Sequence, residues 1–399
     1  MRTTLAYRSW MRRFALLALL LLVLAGLTVF VIDPLQQYRR ATLYHPLWEG
    51  NLRYYDPGFV KHYDYDCIII GSSMVQNFIP SEVGKQLSAR VLVASIGAGS
   101  PYEEGMLLNT ALRTGRVKTV IWGLDVNVFG MGTRALSFGP GTMPFYLYDD
   151  NPFNDYHYLW NIDVLLTDCG RTLAANILHT SRWHRELNPD SAQFVADRFT
   201  FSREAALADL KRVERERPGT LEARRRELEH PETAIAGNGA LDSMKRNFEV
   251  NVMPLVERHP EVTYNFFYPP YSILFWTVTP YPLETLLEFK RYVFMRTRGL
   301  PNVKVFDFQD IGEITLNLNN YMDYSHYSPA VSKFIINAIS KNQYVVNDDN
   351  LEERLSRLES QVREFSDSLA AAEGADSTGA ARSAGTGQTG CQEGEVHEP

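Results

Sequence analysis

The sequence predicts an α/β domain with a doubly wound sheet of five parallel strands, preceded by one membrane-spanning helix. Three observations lead to this prediction. Short apolar runs rich in β-branched residues alternate with helical segments across short turns. The first of these runs ends in Gly-Ser-Ser, at the carboxyl edge where open α/β sheets bind their ligands. Near the N-terminus, an unbroken apolar stretch has the length that spans a bilayer.

Composition excludes several classes of protein. The chain has 399 residues, enough for one or two domains, and a net charge of -7. No basic patch stands out to meet phosphates, so nucleic acid is not an expected partner. Cys67, Cys169 and Cys391 are too few and too scattered for a disulfide framework or a zinc site.

The apolar stretch covers residues 14–32 and is predicted to be a membrane anchor. Four arginines, Arg2, Arg8, Arg12 and Arg13, precede it. The positive-inside rule therefore places residues 1–13 in the cytoplasm and everything after the helix on the other side of the cell membrane. A cleaved signal peptide is the alternative. The run is long for the apolar part of a signal peptide and no small-x-small site closes it, which favours an uncleaved anchor.

The α/β pattern follows a loop-rich collar over residues 33–65, in which Pro46 and Pro57 interrupt any regular element. The α/β domain itself is expected over residues 66–348. Strands are predicted at residues 67–71, 91–95, 118–124, 262–268 and 303–308. Helices are predicted at residues 80–88, 103–114, 239–259, 281–298 and 329–341.

Residues 128–237 interrupt this rhythm and form a predicted insertion. They are rich in glycine, proline and aromatic residues, and they continue into a charged helical run at residues 202–229 that is broken at Pro218-Gly219. An insertion of this size carries binding surface or a lid, or it forms a solvated helical subdomain beside the sheet. Both interpretations are open at the level of sequence.

After the domain, residues 349–372 repeat apolar side chains at alternating spacings of four and three. The seam consists of Leu351, Leu355, Leu358, Val362, Phe365 and Leu369. It predicts a short coiled coil or a docking helix over residues 351–369, through which the chain could bind a partner or a second copy. Residues 373–399 are mostly Gly, Ser, Ala, Thr and Glu and are predicted to be disordered.

Ser72 and Ser73 are candidates for a serine nucleophile. They follow the first strand, although both could equally serve only as caps of the next helix. A serine nucleophile needs a base within hydrogen-bond reach. His326 can be that base, with Asp323 in the same turn to fix its tautomer and stabilise the imidazolium. The alternative is that His326 is an ordinary surface histidine.

A tetrahedral intermediate also needs preorganised N–H donors. The Ser73 backbone N–H is one candidate, and the turn Gly97-Ala98-Gly99 after the second strand supplies others. Asn127, just beyond the third strand, could offer a side-chain amide. Because these elements follow successive parallel strands, they are expected to meet at one pocket.

Several sequence blocks resemble the SGNH (GDSL-type) hydrolase superfamily. They are Gly71-Ser72-Ser73, the turn at Gly99, the stretch from Asp125 to Asn127, and Asp323-x-x-His326. The likeness covers residues 62–342 apart from the insertion. It extends in particular to a membrane-anchored branch found in Gram-positive bacteria, in which an Asn-Pro-Phe-Asn segment recurs (here residues 151–154). The D-alanyl-transfer protein of teichoic acid assembly is a more distant relative with Gly-Ser-Ser.

The resemblance implies a flavodoxin-like SGNH hydrolase fold with Ser73 as nucleophile, His326 as base and Asp323 as its orienting acid. It also implies that Ser73 N–H, Gly99 and Asn127 are the oxyanion donors. The third block reads Gly-Leu-Asp-Val-Asn instead of Gly-x-Asn-Asp, so either Asp125 or Asn127 fills that place. A carboxylate there would repel an oxyanion.

These features lead us to expect a membrane-anchored, extracytoplasmic serine esterase or O-acyltransferase for ester-linked acyl groups of cell-envelope glycans. Such chemistry requires no metal or organic cofactor. The rival hypothesis is a catalytically inactive SGNH-fold protein that binds envelope glycan or assists assembly. Aromatic side chains of the insertion would suit stacking on sugar rings, although aromatics at this density also serve as packing. They are Tyr146, Tyr148, Tyr156, Tyr158 and Trp160.

Overall fold

The computed structural model describes residues 2–42, 44–46, 51–178, 199–231 and 239–385. Its centre is one sheet of five parallel strands in the order β2-β1-β3-β4-β5, which confirms the predicted doubly wound parallel sheet. The strands are β1 (Cys67–Gly71), β2 (Val91–Ser95), β3 (Thr119–Gly123), β4 (Thr263–Tyr268) and β5 (Val303–Asp307).

The helices are numbered in chain order. The first eight are α1 (Arg2–Ile32), α2 (Leu52–His62), α3 (Pro80–Leu87), α4 (Pro101–Arg113), α5 (Val126–Phe129), α6 (Tyr156–Leu159), α7 (Cys169–Ile177) and α8 (Arg203–Glu216). The others are α9 (Thr220–Glu229), α10 (Ala240–Asn251), α11 (Met253–Arg258), α12 (Phe275–Val278), α13 (Leu283–Thr297), α14 (Gly312–Thr315), α15 (Pro329–Ser340) and α16 (Leu351–Gly385).

Burial on both faces explains why the strands are continuous apolar runs. Every residue of β1 is buried, and Ile69 pairs in register with Val93 of β2 and with Ile121 of β3. On one side α3 packs against α15, whereas α4 packs against α2 and α10, and α10 packs against α13. A parallel sheet covered by helices in this way exposes only its two ends, and its carboxyl end is where the candidate site lies.

The single predicted helix over residues 239–259 is two helices, α10 and α11. The chain changes direction at Val252, and Pro254 follows at the second position of α11. Proline lacks the N–H that an uninterrupted helix would need there, but it fits the first turn of a new one.

The collar over residues 33–65 contains helix α2, where the sequence analysis predicted only loop. Pro57 lies inside this helix and cannot donate to the carbonyl of Arg53 one turn earlier. The hydroxyl of Tyr148 donates to that carbonyl instead, at 2.8 Å. The Tyr148 side chain, distant in sequence, thus satisfies the Arg53 carbonyl that proline leaves unpaired. The helix also packs closely on the chain that precedes it, because a Cβ at Gly58 would lie 2.2 Å from the Leu35 carbonyl oxygen.

The charged part of the insertion within residues 199–231 is helical and is hydrogen-bonded to the α/β domain, whereas residues 130–155 form turns and short 3₁₀ segments. The predicted charged run forms α8 and α9, separated at Gly219, whose φ of +85° suits glycine. The Ser202 N–H donates to the Tyr321 carbonyl at 3.0 Å, and Arg224 donates to the carbonyls of Thr279 and Tyr281 at 2.7 and 2.8 Å. Residues 179–198 and 232–237 of the predicted insertion lie outside the described residues.

The heptad seam packs against the chain's own domain. Leu355, Leu358 and Val362 are almost fully buried, and α16 contacts α9, α12 and α13. Arg354 fixes the start of this helix by donating to the Asp307 carbonyl and to the Asp310 carboxylate, both at 2.5 Å. The helix continues to Gly385, beyond the predicted end at residue 372, so the prediction of disorder is wrong for residues 373–385. Residues 386–399 of the predicted tail lie outside the described residues.

Helix α1 is long and apolar enough to cross a membrane, and its candidate span covers Tyr7–Ile32. Most of its apolar side chains are exposed. Asp33 ends the helix by accepting from the N–H groups of Gln37 and Tyr38 at 2.8 and 3.0 Å. The predicted anchor thus corresponds to one helix, while its orientation remains a prediction from the flanking arginines.

Candidate active site

Two glycines shape the turn that carries Ser73. The residue follows β1 and begins a 3₁₀ turn, Ser73–Val75, in which the Ser72 side chain accepts from the Met74 N–H. A Cβ at Gly71 or at Gly123 would lie 2.9 Å from Cγ1 of Val75. Glycine at both strand ends therefore lets this turn sit directly over the sheet edge. The Ser72 side chain caps this turn, as the alternative interpretation predicted, whereas the Ser73 side chain makes no capping hydrogen bond in it.

A tight loop before α15 presents Asp323 and His326. Tyr321 and Tyr327 form an antiparallel bridge across the loop, and the Met322 N–H donates to the His326 carbonyl at 3.1 Å. One carboxylate oxygen of Asp323 accepts from the N–H groups of Ser325 and His326, at 2.7 and 2.6 Å. These bonds hold the carboxylate in place and leave its second oxygen to meet the imidazole.

Tyr327 fastens the histidine loop to the serine turn. Its hydroxyl donates to the carbonyl of Met74, and its own carbonyl accepts from Nδ2 of Asn77 at 2.5 Å. Tyr327 is buried, so these bonds are made away from solvent. Residues distant in sequence are thereby held together by groups adjacent to the candidate catalytic side chains.

The three side chains form a continuous hydrogen-bonded relay. Oγ of Ser73 lies 2.7 Å from Nε2 of His326, and Nδ1 of His326 lies 2.7 Å from Oδ2 of Asp323. The side chains of His326 and Asp323 keep 28% and 24% of their exposure, so a reactant can reach them. This is the arrangement in which an imidazole takes the serine proton while a carboxylate fixes its tautomer.

Charges around the imidazole favour its protonated form. Burial lowers the pKa of His326, but the hydrogen bond and charge of Asp323, with the charges of Asp125 and Asp209, outweigh it and leave the pKa above its ordinary value. Burial likewise raises the pKa of Asp323, but its bonds to His326 and Ser325 outweigh that effect and hold the pKa below its ordinary value. Asp323 therefore stays ionised beside an imidazolium.

Asp125 is a buttress for the serine turn. Its Oδ2 accepts from the Ser72 hydroxyl at 3.0 Å, and its Oδ1 accepts from the Tyr271 hydroxyl at 2.5 Å and from the Asn127 N–H at 3.2 Å. Three donors thus surround the carboxylate at the carboxyl end of β3. Burial and the nearby Asp125 charge raise the pKa of Tyr271, which keeps it protonated as a donor.

The predicted oxyanion donors differ in their present partners. Among the described residues, the Ser73 N–H has no acceptor. The Gly99 N–H donates to the Ile96 carbonyl at 2.6 Å, so that donor is engaged within its own turn. Oδ1 of Asn127 accepts from Oγ1 of Thr279 at 3.1 Å, and no hydrogen bond in the described structure joins Asn127 to Ser73. The structure thus brings Ser73, His326 and Asp323 together but does not join Gly99 or Asn127 to them.

Three of the five aromatic side chains proposed for sugar stacking serve other contacts, whereas Tyr146 is half-buried and Tyr156 is exposed. Tyr148 and Tyr158 are buried, and the Tyr158 hydroxyl donates to Asp33 at the end of α1, at 3.0 Å. Trp160 packs against α1 at Gly26. Among the residues that the structure describes, no group of three or more His, Cys, Asp or Glu side chains could hold a metal ion.

Two further residues lie near the relay and are not among the predicted site residues. Tyr271 follows β4 at the sheet's carboxyl edge, and its position in Pro269-Pro270-Tyr271, directly after a predicted strand, is a sequence signal that can identify it. Asp209 comes from α8 of the insertion and accepts from the Tyr324 N–H at 3.4 Å. Nothing in the local sequence of α8 marks it, since only tertiary packing brings it to the histidine loop.

No protein-family model matches this chain. No curated protein matches it in sequence either. The functional assignment therefore rests on the geometry of its side chains.

Proposed function

We propose that the chain is a membrane-anchored, extracytoplasmic SGNH-type serine esterase or O-acyltransferase. The observation that carries the proposal is the Ser73–His326–Asp323 relay, with 2.7 Å at each of its two side-chain contacts. Its position at the carboxyl edge of a parallel sheet, where such folds place ligands, adds support.

In the proposed reaction, Nε2 of His326 takes the proton of the Ser73 hydroxyl as Oγ attacks the ester carbonyl carbon. The tetrahedral intermediate carries its negative charge on the former carbonyl oxygen, towards which the Ser73 N–H can donate. The imidazolium then protonates the departing alkoxide, leaving an acyl group on Ser73. Water or a second hydroxyl, deprotonated by His326, attacks this acyl-enzyme and regenerates the serine.

The expected substrates are ester-linked acyl groups, such as O-acetyl, on cell-envelope glycans. The α1 anchor supports this class because, with the N-terminus inside, it would hold the domain beside wall and lipid-linked polymers. Hydrolysis and transfer share the acyl-enzyme and differ only in the acceptor that attacks it.

The test is labelling of the full-length chain in detergent with a fluorophosphonate, which reacts with activated serines. Labelling is expected on Ser73, mapped by mass spectrometry, and is expected to disappear in Ser73→Ala and in His326→Ala. Ser340→Ala, at an exposed serine that ends α15, is the control and should retain the label on Ser73. A folded wild-type chain that takes no label would overturn the catalytic proposal and favour the glycan-binding alternative.

A further inference from the structure

Exposed apolar side chains are concentrated in one short part of the insertion. Ile162 and Leu166 are each 66% exposed, Ile177 is 72% exposed, and Leu173 is also exposed. These four residues, here called the outer face, recur with helical spacing across the π-helical turn Val164–Asp168 and helix α7. Large apolar residues on a helix surface normally point into a core, so this surface needs a partner.

The opposite side of the same segment is already packed. Val164, Cys169 and Thr172 are almost fully buried against the rest of the chain. The segment is therefore apolar on two sides. One side already packs against the rest of the chain, so the outer face is a second apolar surface in addition to it. The polar residues Asp163 and Arg171 of the same segment are also exposed.

The segment is attached to the predicted membrane anchor. Nε1 of Trp160 donates to the backbone carbonyl of Leu22 in α1, at 2.8 Å. The indole lies so close to Gly26 that a Cβ there would be 3.1 Å from Cε2 of Trp160. Beside it, Val29 of α1 is fully buried. Helix α1 thus presents one face to this segment and exposes the others.

The contact between Trp160 and Leu22 lies well before Ile32, the residue at which α1 ends. Leu22 precedes Ile32 by two to three helical turns, a rise of about 15 Å at 1.5 Å per residue. The hydrocarbon core of a bilayer is about 30 Å thick. If α1 crosses the membrane up to Ile32, the Leu22 carbonyl lies near the middle of the hydrocarbon core, and the indole of Trp160 that donates to it lies in the apolar part of the bilayer.

Further hydrogen bonds prevent the segment from swinging away from α1. The Tyr158 hydroxyl donates to Asp33 and accepts from the Leu35 N–H, at 3.0 and 3.2 Å. At the other end of the segment, Asn176 of α7 accepts from the His45 N–H at 2.8 Å and donates to the His45 carbonyl at 3.0 Å. The depth of the segment is therefore tied to the depth of α1.

We propose that residues 156–178 lie in the outer leaflet beside α1, with the outer face against lipid acyl chains. Asp163 and Arg171 would then face the headgroups, as the polar edge of an interfacial helix does. The inference rests on the proposed membrane anchorage by α1. It adds a second membrane contact, which would fix the orientation of the catalytic domain on the bilayer instead of leaving it on a flexible tether.

The test uses nitroxide labels on the full-length chain reconstituted in phosphatidylcholine–phosphatidylglycerol vesicles. Variants Leu166→Cys and Leu173→Cys carry the label on the outer face, in a background in which Cys391 is replaced by serine and only the buried Cys67 and Cys169 remain. Leu20→Cys reports on α1, and Met295→Cys, at an apolar position of α13 that is 53% exposed, is the matched control. Collision rates with dissolved oxygen and with a water-soluble nickel chelate are measured at each site.

Labels at positions 166 and 173 are expected to collide more often with oxygen than with the nickel chelate, as the label at position 20 should. The label at position 295 is expected to collide more often with the nickel chelate than with oxygen. If 166 and 173 behave like 295 while 20 stays lipid-like, the inference is wrong and the anchorage stands. If position 20 is also accessible to the chelate, the anchorage itself is wrong and the inference falls with it. Neither result bears on the chemistry of Ser73, which the fluorophosphonate experiment tests separately.

Discussion

Oγ of Ser73 lies 2.7 Å from Nε2 of His326, although these residues come from opposite ends of the α/β domain. Met74 and Tyr327, their immediate neighbours, share the hydrogen bond that closes this distance. The nucleophile and the base are therefore preorganised in the absence of a substrate, and the consequences can be measured.

The first prediction concerns Asp323. Asp323→Asn should lower kcat/KM for an activated ester such as p-nitrophenyl acetate on the order of 10³- to 10⁴-fold, because an amide can hold the imidazole in the wrong tautomer. The control is Ser325→Ala, since Oγ of Ser325 also contacts Nδ1 of His326, at 3.2 Å, but carries no charge. A similar loss in both variants would show that loop geometry, not the carboxylate, determines the rate.

The pH profile is the second prediction. Because the base must be neutral and its pKa is raised, activity should increase with pH with a midpoint above 6.5. Asp209→Asn removes a negative charge that favours the imidazolium, so the midpoint should move to lower pH. Asp209 touches no reacting atom, and Arg212 beside it offsets part of its charge, so the shift should be small. A shift to higher pH would contradict this electrostatic account.

The third prediction tests the buttress at Asp125. Tyr271→Phe removes a buried hydrogen bond to a carboxylate and should lower the free energy of unfolding by about 1.5–3 kcal/mol. Activity should fall as well, since Asp125 also holds Ser72 next to the nucleophile. Thermal unfolding and esterase rates are measured together. Tyr281→Phe, at a half-buried tyrosine outside this network, should leave both nearly unchanged.

A fourth prediction concerns the proline inside α2. Tyr148→Phe leaves the Arg53 carbonyl without the hydroxyl that replaces the missing proline N–H, and should cost about 1–3 kcal/mol of stability. Tyr156→Phe, at an exposed tyrosine, is the control and should have little effect. Equal melting temperatures for wild type and Tyr148→Phe would mean that the helix does not depend on this bond.

The heptad seam gives the fifth prediction. Leu358→Ala should destabilise the domain by about 2–5 kcal/mol, because the side chain is almost fully buried against the chain's own helices. The oligomeric state, measured by light scattering, should be unchanged. Ser368→Ala, on the exposed side of the same helix, should alter neither property. Dissociation of an oligomer by Leu358→Ala would instead assign the seam to an interface between copies.

The sequence by itself determined the strands, the parallel sheet and the long apolar helix at the N-terminus. Each depends on local composition and length: β1 and β2 occur at the predicted residues because short apolar runs rich in β-branched residues and bounded by turns favour a strand over a helix. It also singled out Ser73, Asp323 and His326, since parallel strands bring their carboxyl ends to one edge and a turn brings an acid to its histidine.

Only the tertiary structure decided which other residues each of these segments contacts. The seam of α16 could have paired with another chain, and packing against the domain fills it. Pro57 could have ended a helix, and the distant Tyr148 hydroxyl allows α2 to continue. Trp160 could have stacked on a sugar, and it lies on α1 at Gly26. In each case the local sequence determines which side chains a segment carries. The residues that those side chains contact are far away in the chain, and no local pattern encodes the energies of such contacts.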